Sequence, residues 1–512
     1  MLKLTHGFCR YTRLTYENIN HYSTVVQQFT NLSCKRKTCF TWHSQQSLLS
    51  PIVYSSVQWR LLANIKKRFR NKKSYIDSNE AKKPKPMSES LHPTLKHDSY
   101  GGKFEISEEE TSSNEWLNQS SSFNKTPSNI PTDFRIWESV GNNNDKSNGG
   151  FRFKVMSYNV LAQYLLECHP YLYKECTPLN LKWKVRSARI YDEILSISPD
   201  ILCLQEVQIS HLSNFYVKLE QLGYFGIYKQ KTGHRHDGCA IYFKQCHFDM
   251  QDHITVEFYQ PDMPILNRDN IGLMVKLIPK AAPCTPIVIA TTHLLYNPKR
   301  TDVRLAQMQV LLAEIDRFAY DSNAKETYLP IILTGDFNSS PDSAVVQLLD
   351  KGRISAGALR DNSDWRKIGV TDNCQHLSVY LNRHKGITPD FSMIKIFNSD
   401  FTINTPEDET ALTPEYSEMF NSGSIRHPLK LSSVYNKTKS DGRLEATTFQ
   451  DYWITVDYIY FSHCKSLKLL ERLRLPSEVE CDVLGRLPND VYGSDHLALA
   501  AVFEIKPTMS SL

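Results

Sequence analysis

The chain has 512 residues, of which 41% are hydrophobic and 22% are charged, and its formal net charge is +5. It is longer than one ordinary domain and apolar enough to bury a large core. So small a net charge excludes a protein that attracts nucleic acid through a strong overall field. No apolar run in the sequence is long enough to span a membrane.

The first 150 residues differ in composition from the rest. Between Met1 and Ile76 there are thirteen Lys or Arg residues and one acid, Glu17, and a stretch rich in Ser, Asn and Glu follows at Ser88–Gly150. Such a composition buries too little apolar surface to offset chain entropy, so residues 1–150 are predicted to be disordered, first basic and then polar. This arm is a candidate for RNA contact or for targeting, and its acid-free start resembles a mitochondrial transit peptide. Scattered cysteines indicate free thiols in a reducing compartment, so the cytoplasm or nucleus is expected, with the mitochondrion as the alternative.

Order is predicted to begin at Phe151, where apolar runs alternate with helical patterns. The strand-like runs are Phe153–Tyr158, Ile201–Leu204, Cys239–Phe243, Leu273–Leu277, Ile287–Thr291, Ile331–Thr334, Val456–Phe461 and Leu497–Phe503. The helical patterns are Trp183–Ile197, His211–Leu222, Val303–Phe318 and Ala344–Leu349. This interleaving predicts one mixed α/β domain over residues 151–506, with a short tail at 507–512.

Polar and acidic side chains stand at the ends of six of these strand-like runs. They are Asn159, Glu206, His293, Asp336 with Asn338, Asp457, and Asp495 with His496. Each alone has an ordinary structural explanation, as a solvated carboxylate, a turn residue or a hydrogen-bonded histidine. That explanation does not account for all six ends together, because strand ends are where a rigid core presents side chains to a pocket.

The residue types in this set restrict the chemistry. Carboxylate and amide oxygens are hard ligands that suit Mg²⁺, or Mn²⁺ in its place. Zinc is disfavoured because no Cys and His residues have the spacing of zinc ligands. Beside such a cation, a carboxylate can take a proton from an attacking water while a histidine donates to a phosphate oxygen. The set therefore predicts a metal-dependent phosphoesterase.

Seven segments carry a family resemblance. In chain order they are VMSYNVLAQ, DILCLQEV, DGCAIYFK, THLLYNPKRTDVRLAQ, LTGDFNSSPDS, WITVDYIYFS and GSDHLALAA. They resemble the motifs of endonuclease/exonuclease/phosphatase proteins, in the branch of the carbon-catabolite-repressor-type deadenylases and nocturnin, and are most similar to those of the angel proteins. The resemblance covers residues from Phe151 to Ile505.

The resemblance implies a fold and a metal site. The fold would be a four-layer sandwich of two mixed β-sheets flanked by helices, with the site between the sheets. Glu206 would be the main Mg²⁺ ligand, with Asn159 and Asp495 beside it. Some relatives carry a carboxylate two residues after this Asn, where the present chain has Leu161, so Glu206 would carry more of the metal binding.

The resemblance also implies catalytic roles. Asp336 would orient and deprotonate the attacking water, and Asn338 would hold water or phosphate. His496 would donate to the phosphate, with its ring fixed by Asp457. His293 would contact the phosphate.

Phosphoester chemistry alone also fits DNA repair nucleases, inositol phosphatases and sphingomyelinases. The motifs DGCAIYFK and THLLYNPKR resemble those of the RNA-acting branch, so the 3′ end of an RNA is the expected substrate. The segment Lys351–Gln450 carries basic and aromatic residues, among them His427, that suit single-stranded RNA. Tyr452 and Trp453 are candidates for stacking on a terminal base, the alternative being that they are core residues. The resemblance to the angel proteins, rather than to the deadenylases, favours removal of a terminal 2′,3′-cyclic phosphate over the alternative reaction, 3′ shortening of poly(A) RNA. The run Phe449–Trp453 differs from the corresponding deadenylase motif and supports the same choice.

Two readings from another class stay open, an RNA-binding scaffold without activity and a partner of a translation factor. The scaffold is disfavoured because every motif position for chemistry is filled. The cap-binding initiation factor would require a Tyr-x₄-Leu-apolar peptide, and the match at Tyr492–Ala498 lies inside the catalytic motif. That partner is therefore not expected.

Overall fold

The computed structural model describes residues 130–140, 149–321, 328–360, 365–384, 419–420 and 422–506. All of them lie in one compact unit, Thr111–Leu512. The disorder predicted for residues 1–129 and the tail at 507–512 lie outside the described residues. Within the described ranges, no helix is both long enough and apolar enough to cross a membrane.

The elements interleave as the sequence predicts. The strands are β1 Trp137–Ser139, β2 Phe151–Asn159, β3 Ile201–Gln208, β4 Tyr224–Gln230, β5 Asp237–Lys244, β6 Phe248–Glu257, β7 Ile271–Pro279, β8 Ile287–His293, β9 Ile331–Asp336, β10 Arg353–Ser355, β11 Ser424–Arg426, β12 Leu431–Ser433, β13 Thr448–Gln450, β14 Tyr452–Ile454, β15 Asp457–Ser462, β16 Leu467–Leu473 and β17 Leu499–Ile505. The α-helices are α1 Gln163–Cys168, α2 Trp183–Ile197, α3 Val217–Gln221, α4 Thr301–Ala319, α5 Ala344–Lys351, α6 Gly357–Arg360, α7 Trp365–Ile368 and α8 Leu377–His384.

Two large mixed sheets form the centre of the described fold. The first has the strand order β1-β16-β17-β2-β3-β5-β4, in which β2 and β3 are parallel and the other neighbours antiparallel. The second has the order β12-β15-β9-β8-β7-β6, in which only the pair β8 and β9 is parallel. Two short pairs, β10-β11 and β13-β14, lie outside these sheets.

The sheets pack face to face, and each carries helices on its outer face. Phe153 and Ile241 of the first sheet meet Leu273 and Ile289 of the second in one buried cluster. Helix α2 packs on the outer face of the first sheet, and α4 and α5 pack on that of the second. The run at Ile201–Leu204 is apolar throughout because it is covered on both faces. The predicted four-layer sandwich of two mixed sheets flanked by helices is thus confirmed.

The fold begins earlier than the predicted start at Phe151. Strand β1 pairs antiparallel with β16, with Trp137 opposite Leu473, and Phe134 is buried in a cluster with Trp453. Residues 130–140 are therefore ordered, although their composition assigned them to the disordered arm. The polar residues around them concealed the apolar side chains that pack on the core, namely Ile130, Phe134 and Trp137.

Strand register brings the predicted chemistry to one end of the sheets. His293 lies opposite Asp336 on parallel strands, and Asp336 lies opposite Asp457 on antiparallel strands. Gly335 permits this close pairing, because its φ is +146° and a Cβ there would lie 2.1 Å from the carbonyl oxygen of Thr292. Side chains that are far apart in the sequence are therefore neighbours at this end of the strands.

Candidate active site

Glu206 is turned into the site by an irregularity in β3. The register between β3 and β5 shifts between Leu204 and Val207, and Glu206 takes a φ of +59°, in a region that residues other than glycine rarely adopt. A bulge of this kind redirects a side chain out of the regular alternation. The backbone N–H of Ala162 then donates to Glu206 Oε2 at 2.9 Å.

Asn159, at the end of β2, joins the two sheets. Its Nδ2 donates to Glu206 Oε1 at 3.1 Å and to Asp336 Oδ2 at 2.9 Å. Its Oδ1 accepts from the backbone N–H of Leu161 at 3.1 Å, which fixes the orientation of the amide. One buried amide therefore bridges a carboxylate from each sheet.

Asp336 is buried and held by its own loop. The backbone N–H of Asn338 donates to Asp336 Oδ1 at 2.8 Å, and Asn338 Nδ2 donates to the carbonyl oxygen of Leu294 at 3.0 Å. Burial, and then repulsion from Asp457, raise the pKa of Asp336, while His496 and the amide of Asn159 oppose the rise. A carboxylate whose pKa is raised from its usual range is a better proton acceptor at neutral pH.

His496 and Asp457 form a buried hydrogen-bonded pair. His496 Nδ1 lies 2.8 Å from Asp457 Oδ2, and His496 Nε2 lies 3.8 Å from Asp336 Oδ2. Burial alone would lower the pKa of His496, but Asp457, through its charge and its hydrogen bond, together with Asp495 and Asp336, raises it well above the usual value. These carboxylates therefore favour the protonated ring, and Asp457 fixes its orientation.

The loop before β17 supplies a further carboxylate. Tyr173 Oη donates to Asp495 Oδ2 at 2.8 Å, and Ser494 Oγ donates to the carbonyl oxygen of Asn159 at 2.6 Å. Burial, and then the charge of Asp495, raise the pKa of Glu206. Asp495 Oδ1 lies 3.9 Å from His496 Nε2, and His293 Nε2 lies 3.6 Å from Asp336 Oδ2. All eight strand-end residues singled out in the sequence therefore meet in one site.

This donor set fits a hard divalent cation. Buried carboxylates converge here, and Asp457 Oδ1 has no hydrogen-bond partner within the described residues. One ligand atom from each of Asp336, Asp457 and His496 lies within 4.8 Å of the others. Carboxylate oxygens suit Mg²⁺ or Mn²⁺, and such an ion stabilises buried carboxylates that lie close together.

Two residues of the site were not predicted. Lys231 Nζ lies 2.6 Å from Asp237 Oδ2 and 3.5 Å from His293 Nδ1, and both side chains of this ion pair are buried. Burial, and then Lys231 and His496, lower the pKa of His293 well below its usual value. The position of Asp237 at the start of the DGCAIYFK segment was a usable signal, whereas Lys231 looks like any basic loop residue.

Arg186, on α2, was also missed, and it ties two loops of the site together. It is fully buried, and its Nε donates to the carbonyl oxygen of Gly493 at 2.8 Å. Its Nη2 donates to the carbonyl oxygens of Val160 and Leu161 at 2.8 and 2.6 Å. Arg186 therefore connects the loop after β2 with the loop that leads to His496.

Tyr452, Trp453 and His427 were predicted to bind substrate, and the structure places them in three different environments. Tyr452 is 63% exposed on β14, and the neighbouring strand β13 reaches the site through a bridge between Thr448 and His496. Trp453 is buried among apolar side chains, so its prediction as a base-stacking residue is wrong. Alternation along the strand turns its neighbour Tyr452 outward and Trp453 inward.

His427 does not lie in the site formed by the strand-end residues. Its Nε2 donates to the carbonyl oxygen of Leu348 at 3.0 Å, near the end of α5. Leu431, four residues later, pairs with Ser462, which lies at the other end of β15 from Asp457. His427 is thus buried near the strand ends opposite to those that carry the site, where it lines a cavity with Tyr380 and Arg426.

The fold is a two-sheet α/β sandwich, and buried carboxylates, amides and histidines meet at one end of its strands. This combination defines the class of metal-dependent phosphoesterases. Residues 156–496 match the endonuclease/exonuclease/phosphatase family, and the chain belongs to this family. Protein angel homolog 2 of Homo sapiens is 35% identical over an alignment of 400 residues that covers 71% of this chain and 71% of the relative. Protein angel of Drosophila melanogaster is 34% identical over an alignment of 384 residues that covers 72% of this chain and 86% of the relative.

A solved structure is similar over the same region. The crystal structure of ANGEL2, a 2′,3′-cyclic phosphatase, in complex with adenosine-2′,3′-vanadate shares 35% identity, with a TM-score of 0.59. The match covers 72% of this chain and 98% of that chain. The predicted membership of the angel homologs is therefore confirmed.

Proposed function

We propose that this protein removes a terminal 2′,3′-cyclic phosphate from RNA 3′ ends and leaves both hydroxyls. One observation carries the proposal. The chain is 35% identical to ANGEL2, a 2′,3′-cyclic phosphatase, over 98% of that chain, and its own strand ends bring Glu206, Asp336 and His496 into one site. The reaction hydrolyses two phosphoester bonds in turn, first opening the ring and then releasing inorganic phosphate.

Mg²⁺ is the proposed cofactor, with Mn²⁺ as a substitute. Glu206 is its proposed main ligand, with Asn159 and Asp495 beside it. The carboxylates of Glu206 and Asp495 would supply hard oxygens, and the amide of Asn159, whose Nδ2 donates to Glu206, would hold that carboxylate in place. The cluster of Asp336, Asp457 and His496 is better suited to proton transfer than to metal binding, since His496 Nδ1 is already hydrogen-bonded to Asp457. When bound, the ion supplies charge neutralisation at the phosphate.

Asp336 and His496 are the proposed proton-transfer groups in both steps. Asp336, whose pKa is raised by burial and by Asp457, orients the attacking water and takes its proton. His496 donates from Nε2 to the phosphate, because Asp457 holds its Nδ1 on the opposite side of the ring. Asp336 Oδ2 and His496 Nε2 lie 3.8 Å apart, so one phosphate can contact both groups.

The remaining polar residues bind the substrate in this account. His293 contacts the phosphate, and Asn338, whose backbone holds Asp336, presents its side chain to water or phosphate. Tyr452 is the candidate for stacking on the terminal base, because it is exposed beside the strand that reaches His496. A single exposed ring gives little base selection.

The alternative reaction is 3′ shortening of poly(A) RNA. It would use the same carboxylates but requires a pocket that selects adenine. Trp453, one of the two aromatic residues expected to stack, is buried in the core, which leaves fewer groups for such a pocket. The scaffold reading is disfavoured by the filled site, and Tyr492 and Leu497 of the initiation-factor peptide are both buried.

A substrate panel tests the proposal. Purified full-length protein would be incubated with RNA ending in a 2′,3′-cyclic phosphate, a linear 3′-phosphate or poly(A) with free hydroxyls, and with abasic DNA. Phosphate release from the cyclic and linear ends is expected, abolished by chelator and restored by Mg²⁺ or Mn²⁺. Cleavage of abasic DNA alone, or activity that survives thorough chelation, would contradict the proposal.

A further inference from the structure

The ion pair of Lys231 and Asp237 lies behind His293, on the side away from Asp336. Lys231 Nζ is 2.6 Å from Asp237 Oδ2, and the backbone N–H of Lys231 donates to the carbonyl oxygen of Asp237 at 3.0 Å. The two side chains are 9% and 2% exposed. Lys231 follows β4 and Asp237 begins β5, so a hairpin fixes the ammonium where it stands.

This ammonium determines which ring nitrogen of His293 carries the hydrogen. Lys231 Nζ lies 3.5 Å from His293 Nδ1, and an ammonium has three hydrogens and no acceptor site. His293 Nδ1 must therefore accept, which leaves the hydrogen of the neutral ring on Nε2. The opposite tautomer would direct a ring N–H at the hydrogens of Lys231.

The other side of the ring favours the same tautomer. His293 Nε2 lies 3.6 Å from Asp336 Oδ2, and a hydrogen there faces an acceptor. The competing acceptor for Nδ1 is Glu206 Oε1, at 3.9 Å, which already accepts from Asn159. Asn270 Nδ2 donates to the carbonyl oxygen of His293 at 2.9 Å and restrains its backbone.

We propose that Lys231, held by Asp237, is a positioning residue that keeps His293 in the Nε2–H tautomer. His293 then donates a hydrogen bond from Nε2 into the site, and Lys231 itself does not touch the substrate. The consequence for catalysis rests on the proposed function, in which the phosphate is the acceptor of that hydrogen bond. The tautomer itself follows from contacts within this chain and does not depend on the substrate.

The test uses full-length protein labelled with ¹³C and ¹⁵N in histidine, with the His293 signals assigned by comparison with His293→Gln. The wild-type ring is expected to show the Nε2–H pattern, and Lys231→Met is expected to shift it toward Nδ1–H. Lys231→Arg keeps a donor and should preserve the wild-type pattern. The matched control is Lys229→Met on the same hairpin, since Lys229 pairs with the exposed Glu257 and should leave the ring unchanged.

Kinetics complete the test on cyclic-phosphate RNA and on a simple aryl phosphodiester. Lys231→Met should lower kcat by about tenfold or more with little change in KM, because only a donor to the phosphate is lost. An Nδ1–H ring in the wild-type protein overturns the proposal even if Lys231→Met fails to fold. An Nε2–H ring that persists in folded Lys231→Met also overturns it. An Nε2–H wild-type ring without activity on cyclic ends would contradict the proposed function alone.

Discussion

Asn159 and Asp336 lie on different sheets, and Asn159 Nδ2 donates to Asp336 Oδ2 across the gap at 2.9 Å. The same nitrogen donates to Glu206 at 3.1 Å. A neutral amide therefore separates two buried carboxylates that would otherwise repel each other. This contact makes the site a property of how the two sheets pack, and it leads to the first prediction.

Asn159→Asp should destabilise the protein strongly in metal-free buffer. The substitution keeps the shape of the side chain but replaces two donated hydrogen bonds with a third buried negative charge. The expected loss is about 2 kcal/mol or more in the free energy of unfolding, measured by denaturant titration. Added Mg²⁺ should recover part of the loss, because a cation offsets the new charge. An unchanged unfolding midpoint would show that these carboxylates do not form a buried cluster.

Glu206→Gln should abolish turnover while the protein stays folded. Loss of the proposed main ligand removes charge neutralisation at the phosphate, so kcat should fall by about 10³-fold or more. Since burial raises the pKa of Glu206, the folded protein binds this proton more tightly than the unfolded chain, and the associated stability is present at low pH and lost as pH rises. Glu206→Gln cannot ionise, so its melting temperature in metal-free buffer should fall less between low and neutral pH than that of the wild-type protein. Near-normal turnover would refute the assignment of Glu206.

Tyr452 and Trp453 form a matched pair with opposite expectations. Tyr452→Ala should leave the melting temperature unchanged and raise KM for RNA, because the side chain is exposed beside the site. Trp453→Ala should cost about 3–5 kcal/mol of stability, because it empties a buried position. Thermal melts and steady-state kinetics on the two variants distinguish these effects. If Trp453→Ala kept full stability and raised KM for RNA, Trp453 would be a substrate-binding residue and not a core residue.

Removal of the N-terminal arm should be harmless only up to the residue where order begins. A chain starting at Ile130 should keep the stability and the activity on a short substrate of the full-length protein. A chain starting at Gly150 lacks β1 and Phe134, and should lose about 3 kcal/mol or more of stability. Phe134→Ala in the full-length chain is the control for the loss of that side chain alone. Equal stability of the two truncated chains would place the start of the fold after Val140.

Much of this fold and site can be read from the sequence because both depend on local signals. The buried run Ile201–Leu204 and the polar residues that follow strands need only hydrophobic pattern and spacing, and Glu206 was found in this way. The bulge that gives Glu206 its φ of +59° could not be foreseen, since it arises from pairing with β5. The sequence shows which residues lie at the end of a strand, but it does not show in which direction each side chain points.

What escaped prediction depends on tertiary contacts. Lys231 is a buried ion-paired residue in a loop where basic residues are usually solvated, and only the fold of the hairpin brings it to His293. His427 was placed with the substrate because of its residue type, but its Nε2 donates to the carbonyl oxygen of Leu348, away from the strand ends that carry the site. The burial of Arg186 could have been predicted, because Arg186 lies four residues before Ile190 and therefore on the buried face of α2.

The most direct test of the central claim follows one 5′-labelled RNA that ends in a 2′,3′-cyclic phosphate, beside a matched RNA that ends in adenosines with free hydroxyls. With full-length protein and Mg²⁺, we expect the cyclic end to release inorganic phosphate without change in RNA length, with weak dependence on the terminal base, while the hydroxyl-ended RNA is shortened slowly or not at all. Asp336→Ala and His496→Ala should each abolish phosphate release. Processive shortening of the hydroxyl-ended RNA with no action on the cyclic end would contradict the account and establish the deadenylase reaction in its place.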